Sequence, residues 1–373
     1  MSKSRTMRLS EIANIITGAT PSSIYPEAWG HEIPFITPSD QIDSMREATP
    51  TRFLSAYGAE LLEKRLIPAG TTNLTCIGST IGKVSMAMSP AVTNQQINSI
   101  IAKSDIADPT FVYYMIKNWS GILKVEAAGS ATPIINKTVL SNYFFKIPPL
   151  SEQRAIAEVL GALDDKIAAN NGAEATSRSL AQARFDALLR GKTSVAPLRS
   201  VLRLEYGKSL PASKRVSGDI NVFGSGGIVG SHNESLRTGP GVIVGRKGSV
   251  GSVHWSETDF FPIDTTYYVI PKSSDISLLF CYHLLSLLPL ADMNSDSAVP
   301  GLNREEALSL PVRIPEPEPL IRFSEETSQL FSFINQLSQE NLFLISTRDA
   351  LLPQLMSGKI RVRDAEAVVE DVL

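Results

Sequence analysis

Cysteine is almost missing from this chain: Cys76 and Cys281 are the only two in 373 residues, and they lie in distant segments. That rules out a disulfide framework and the small stapled secreted class, and leaves two free thiols expected in the interior. Long apolar runs are missing too. The richest stretch, LLFCYHLLSLLPL (278–290), is shorter than the roughly 18 residues of a spanning helix and contains His283. The opening MSKSRTMRLS lacks the apolar core of a signal peptide. The expectation is a cytoplasmic protein with no membrane segment. An excess of positive charge is also absent, with 35 Lys and Arg against 38 Asp and Glu and a net charge of −3. A nucleic-acid binder usually carries a basic footprint. Such a role therefore requires acidic residues to sit on a scaffold and on the tail DAEAVVEDVL (364–373), with basic residues gathered on the globular parts.

Intact catalytic motifs are lacking as well. IGSTIGKV (77–84) has one residue too few between its glycines for a phosphate loop and ends in Val84 where Ser or Thr is required. RGKT (190–193) ends correctly, but Asp186 stands where the first glycine belongs. FGSGG (223–227) and DPTF (108–111) each miss a residue of the methyltransferase motifs they approach, at Ser225 and Thr110. His31, His232, His254 and His283 show no metal-ligand spacing, and no GxSxG elbow occurs. The reading is a chain that is not an enzyme, with no catalytic residue, no metal and no cofactor of its own.

What the sequence does have is an internal repeat. ATPIINKTVLSNYFFKIPPL (131–150) lies over AVPGLNREEALSLPVRIPEP (298–317) without a gap, setting Pro133 on Pro300 and Asn136 on Asn303 (303 − 136 = 167). The same offset pairs Ile156 with Phe323, Leu163 with Leu330, Ile167 with Ile334, Leu188 with Leu355, and Gly191-Lys192 with Gly358-Lys359. Upstream, LSEIANIITG (9–18) resembles LRSVLRLEYG (198–207), and TIGKV (80–84) resembles SVGSV (249–253), at other offsets. The copies share a plan while their loops differ.

Ile156, Leu160, Leu163 and Ile167 fall on one helical seam, with Ser151 the expected N-cap and Gly191 the stop. Phe323, Leu330, Ile334, Leu337, Leu344 and Leu351 form a second seam ending near Gly358, with Pro353 expected to kink or shorten its last turns. A helix of ~40 residues is about 60 Å long. VIVG (242–245) and YYVI (267–270) read as strands, FVYYMIKNW (111–119) and LLFCYHLLSLL (278–288) as short helices. The expected fold class is therefore α+β: two similar mixed α/β units separated by a pair of long antiparallel helices, a pseudo-twofold tandem repeat. Asn170, Asn171, Glu174 and Ser177 interrupt the first seam, either as a wet stretch of coiled coil or as a docking place for a partner.

KIPPLSEQRAIAEVLGALDDKI (146–167) and ALLPQLMSGKIRV (350–362) closely resemble the two central helical regions of type I restriction-modification specificity subunits. PEPEPLIRF (315–323) departs from the Glu-Gln-Arg of the first copy. The resemblance implies target-recognition domains at 1–150 and 193–317, spacer helices at 151–192 and 318–358, and a C-terminal tail at 359–373. It implies double-stranded DNA as ligand. It further implies two copies of a modification (methyltransferase) subunit and restriction (translocase/endonuclease) subunits as partners, to which S-adenosylmethionine, ATP and Mg would belong. A non-catalytic adaptor with twin protein-binding domains is the other reading that the acidic balance allows.

For a DNA reader, phosphate contacts position the protein and a few side chains read base edges. Arg46, Arg52 and Lys83 in the first unit, and Lys208, Lys214, Arg215, Arg246 and Lys247 in the second, are the phosphate candidates. Asn94, Gln95 and Gln96 are the base-reading candidates, because Asn and Gln amides pair bidentately with adenine. Arg246-Lys247, flanked by Gly245 and Gly248, is a basic tip able to approach a backbone closely.

Overall fold

A computed structural model describes residues 4–127, 134–293 and 301–373. The Pro133 and Pro300 pair of the repeat lies outside the described residues. The chain divides into two compact units, Met1–Asn171 with Gln339–Leu373, and Gly172–Ser338. Each unit takes in half of each long helix.

In the first unit, strands Ala13–Thr17 (β1), Thr72–Thr75 (β2), Val84–Met86 (β3) and Ile97–Ala102 (β4) form an antiparallel sheet in the order β1-β4-β2-β3. The helix Pro109–Ala127 starts where Asp108 accepts a hydrogen bond from the Phe111 amide at 2.9 Å. It buries Phe111, Val112, Tyr114 and Ile116 in one core with Leu74, Val84 and Ile100 of the sheet. Short strands around Phe35, Leu54 and Val92 make a second, smaller sheet. Arg5–Arg8 pairs with Phe144–Ile147 just before the first long helix, Leu150–Arg190 (α1).

The second unit repeats the main sheet, the helix packed on it and the strand pair that precedes the long helix. Leu202–Tyr206 (β5), Gly241–Gly245 (β6), Val253–Ser256 (β7) and Thr266–Pro271 (β8) form a sheet in the order β5-β8-β6-β7. The helix Leu278–Leu287 packs on it, and Thr193–Pro197 pairs with Pro311–Pro315 before the second long helix, Pro317–Ser357 (α2). The glycines common to both copies have structural work. Gly82 and Gly251 end the β2–β3 and β6–β7 turns at φ of 82° and 73°, which a side chain resists. A Cβ on Gly18 or Gly207 would sit 2.2 Å from the carbonyl oxygen of Asn94 or Ile263. Asn136 and Asn303 cap the equivalent helices Lys137–Asn142 and Arg304–Ser309.

The glycine-rich decoys acquire plain explanations. IGSTIGKV is the turn joining two antiparallel strands, so no helix N-terminus follows it to hold a phosphate. FGSGG closes the hairpin between Ile220–Gly224 and Gly227–His232 and is a tight turn.

The start of the first long helix differs from expectation. Ser151 is not the N-cap of α1: the helix begins at Leu150, and the Pro149 carbonyl accepts from the amides of Glu152 and Gln153. Gln153 is 1% exposed and ties the helix start to Asp108, Ile106 and Pro148, whereas its counterpart Leu320 is buried in the apolar core of the second unit. Pro353 lies inside α2, which runs on to Ser357 and stops at Gly358 with φ of 72°. The C-terminal tail 359–373 is partly helical. It contains the helix Val362–Glu370, whose Ala365 and Val369 join the core of the first unit.

Within each unit the two long helices run antiparallel. In the first, Asp164 meets Arg348, Lys166 meets Glu340 and Asn170 meets Asn341. In the second, Ala181 packs with Phe331 and Ile334, Arg184 pairs with Glu326, and Phe185 lies 5.9 Å from Phe323.

Candidate nucleic-acid interface

In the second unit, a cleft of about 390 Å³ opens between the ends of β5 and β8 and the loop after β6. Its chemistry is cationic and aromatic. The Arg246 and Arg304 guanidinium groups lie over one ring, that of Tyr206, at 5.2 and 5.3 Å. Tyr206 rests on Tyr267, ring centroids 5.1 Å apart, and the Tyr267 hydroxyl donates to the Leu302 carbonyl at 3.1 Å. Burial, then Tyr206 beside it, pushes the Tyr267 phenol up to about 12, so it stays a neutral donor. Arg304 Nε has Glu305 at 3.4 Å, whereas Arg246 Nε is buried and has no hydrogen-bond partner among the described residues. Lys247 is exposed at the rim.

The backbone identifies the same place in the first unit. Arg246 donates to Thr265 and accepts from Leu302; Cys76 donates to Gln96 and accepts from Ile135. Lys247 bridges to Gly301 as Ile77 does to Ile134. Tyr206 pairs with Tyr267 across the sheet as Thr17 does with Asn98, where the threonine hydroxyl donates to the amide oxygen at 2.7 Å. One plan thus carries two chemistries: Arg, Lys and two Tyr in one unit, Cys, Ile, Thr and Asn in the other. Cys76 is 1% exposed, and burial raises its thiol to about 11.

The other candidates spread over several places. Arg52 is exposed and stacks 3.6 Å over Trp29. Gln95 is exposed and accepts from Thr20, and Asn94 is 8% exposed and folded back on Gln96. Lys208 and Lys214 are exposed; Arg215 donates to the Leu210 and Val229 carbonyls and braces a hairpin. Two cations are already committed elsewhere. Arg46 is 10% exposed and bonded to Asp165 on α1 at 2.6 Å, and Lys83 donates to the Pro38 and Gln41 carbonyls. Both are internal ties, which leaves their charge little freedom to meet a phosphate. Sequence reasoning missed Tyr206, Tyr267 and Arg304. The 167-residue offset already set Arg304 beside the matched Asn303, and an aromatic pair under a basic tip was the signal to follow.

The model of the family described as type I restriction modification DNA specificity domain matches residues 1–176. The MjaIX type I restriction enzyme specificity subunit of Methanocaldococcus jannaschii is 24% identical over 96% of this chain and 93% of its own length. The HindI specificity subunit of Haemophilus influenzae is 38% identical over 36% of this chain and 29% of its own. The chain is thus similar to type I restriction-modification specificity subunits, over nearly its whole length at low identity and most strongly in its first half. A solved S subunit of M. genitalium shares the fold, with a TM-score of 0.61 at 18% identity, covering 95% of this chain and 96% of that one.

In this specificity-subunit fold the polar interruption of the helical seam is mostly an internal clasp. Asn170 donates to Glu340 and Asn341 at 2.9 Å, and Asn341 donates to Asn171 at 2.9 Å. Ser177 is 7% exposed; Glu174 pairs with Arg178 one turn on. No group of three or more potential ligands that could hold a metal ion occurs among the described residues, and none of their helices is long and apolar enough to cross a membrane.

Proposed function

We propose that this chain is the DNA sequence-specificity subunit of a type I restriction-modification complex, reading a bipartite target with one half-site for each unit. The observation that carries this reading is the repeated recognition plan with different side chains at matching positions. Two readers of one architecture and unlike chemistry suit an asymmetric target, two short blocks separated by bases that are not read. The paired helices set the gap, as dimer geometry sets half-site spacing in other readers. Methyl transfer belongs to two copies of the modification subunit, and translocation and cleavage to restriction subunits. S-adenosylmethionine, ATP and Mg act there, in the cytoplasm, and this chain chooses the sequence without a catalytic step of its own.

Selection from a pool of random duplexes by the chain in complex with its modification subunit tests this. Enrichment of two short blocks at a fixed separation is the expected result. A complex that forms and enriches nothing contradicts it and favours a protein-binding adaptor, the reading to which the net charge of −3 lends some weight.

A further inference from the structure

We infer that the cleft formed by Tyr206, Arg246 and Arg304 grips a bidentate hydrogen-bond acceptor of DNA, a phosphate or the O6/N7 edge of a guanine, and that the matching place in the first unit does not. This rests on the DNA-reading proposed above and adds the ligand chemistry of one subsite. Two guanidinium groups share the face of Tyr206 at 5.2 and 5.3 Å, an arrangement whose mutual repulsion calls for an acceptor between or beside them. Glu305 supplies one for Arg304, at 3.4 Å. Among the described residues Arg246 has none: its Nε is buried without a partner, and its guanidinium lies over the Tyr206 ring where it lines the cleft. A planar fork held against a ring is matched by acceptors that present two lone-pair sites side by side. In duplex DNA those are phosphate oxygens and the guanine edge. Lys247 at the rim adds charge without adding geometry.

The first unit supplies the contrast. Cys76, Ile77, Thr17 and Asn98 occupy the matching positions, and Lys137, opposite Arg304, is the one cation among them. At this position of the shared plan, a bidentate cationic grip is therefore a property of the second unit alone.

The test uses the intact complex with the modification subunit and the variants Arg246→Ala, Arg246→Lys and Tyr206→Thr, the last copying the first unit. Each is read by selection from random duplexes and by salt titration of binding. If the acceptor is a guanine, Arg246→Ala relaxes one position of one half-site, leaves the other half-site unchanged, and is not rescued by Arg246→Lys. If it is a phosphate, the motif stays, affinity falls about tenfold or more for all sequences, and the slope of log affinity against log salt shrinks by about one. Tyr206→Thr moves binding in the same direction as Arg246→Ala in either case. A motif, affinity and salt slope all equal to wild type overturn the inference, as does relaxation of both half-sites together. A wild-type complex that selects no sequence at all removes the DNA-reading itself, a separate outcome seen before any variant is made.

Discussion

His283 shows how single residues in this fold are committed to packing even where their chemistry invites another use. It is 4% exposed, stacked on Phe185 and edged by Phe323, Phe331 and Tyr282, with Nδ1 against the Gln182 amide oxygen at 3.0 Å and Nε2 buried without a partner among the described residues. Burial pulls its pKa down from 6.5 to about 4, against a small opposing pull from Asp186. A folded-state pKa below the unfolded one means that the unfolded chain binds the proton first. Stability from this site is therefore complete above pH 6.5 and is lost as pH falls from 6.5 towards 4, at up to about 1.4 kcal/mol per pH unit. Thermal unfolding at pH 7.5 and pH 5 should show a larger drop for wild type than for His283→Phe; equal drops contradict it. The same commitment is seen at Arg46 and Lys83. A sequence displays their charge but not the carboxylate and carbonyls already holding it.

Among the elements, the paired helices carry a contrast that the repeat makes visible. Asp164 and Arg348, 1% and 0% exposed at the side chain, form an ion pair of 2.5 Å, and Tyr114 donates to Asp164 at 2.6 Å. Burial opposes the Arg348 charge, but Asp164 holds its pKa above the ordinary value. At the 167-residue offset the same two positions are Phe331 and Ala181, buried together in the second unit. One copy closes the helix pair with charge and the other with apolar packing. Removing one partner of a buried pair leaves the other unpaired, typically at a cost of ~3–5 kcal/mol. Arg348→Ala should lower stability by about that amount, and Asp164→Phe with Arg348→Ala, copying the second unit, by clearly less. Denaturant unfolding decides; a double variant as unstable as the single one contradicts the equivalence. The strands at 242–245 and 267–270, the helices over 111–119 and 278–288 and both long helices are legible in the sequence, because apolar period is a local signal and the repeat shows it twice. This ion pair is not, because Asp164 and Arg348 are far apart in the chain and Asp164 sits beside a seam that looks complete with Leu160, Leu163 and Ile167. The alignment does hold a trace of it: opposite charges, one in each copy, at positions that are apolar in the other. The helix Val362–Glu370 also escaped, since an acidic stretch hides the spacing of Ala365 and Val369.

For the whole molecule, the repeat is the organising fact, and the recognition chemistry is the part that sequence pattern leaves open. The offset locates equivalent positions, whereas β5 to β8 bring Tyr206, Arg246 and Tyr267 to one cleft only through sheet register. If the helices set the unread gap, adding four residues to both at the limits of the two units, after Asn171 and after Ser338, lengthens the spacer by about 6 Å, or roughly two base pairs. The selected motif should keep both half-sites and widen its gap. Adding them to α1 alone should impair assembly, because the antiparallel pairing loses its match. An unchanged gap in the doubly lengthened chain contradicts the spacer role. The central claim, that this chain determines which sequence is modified, is tested most directly by single-molecule methylome sequencing. The host is methylation-free and expresses the modification subunit with and without the chain. The account predicts a methylated motif of two short blocks with a fixed gap that appears only when the chain is present. No chain-dependent methylation, with the two proteins soluble and associated, would contradict it.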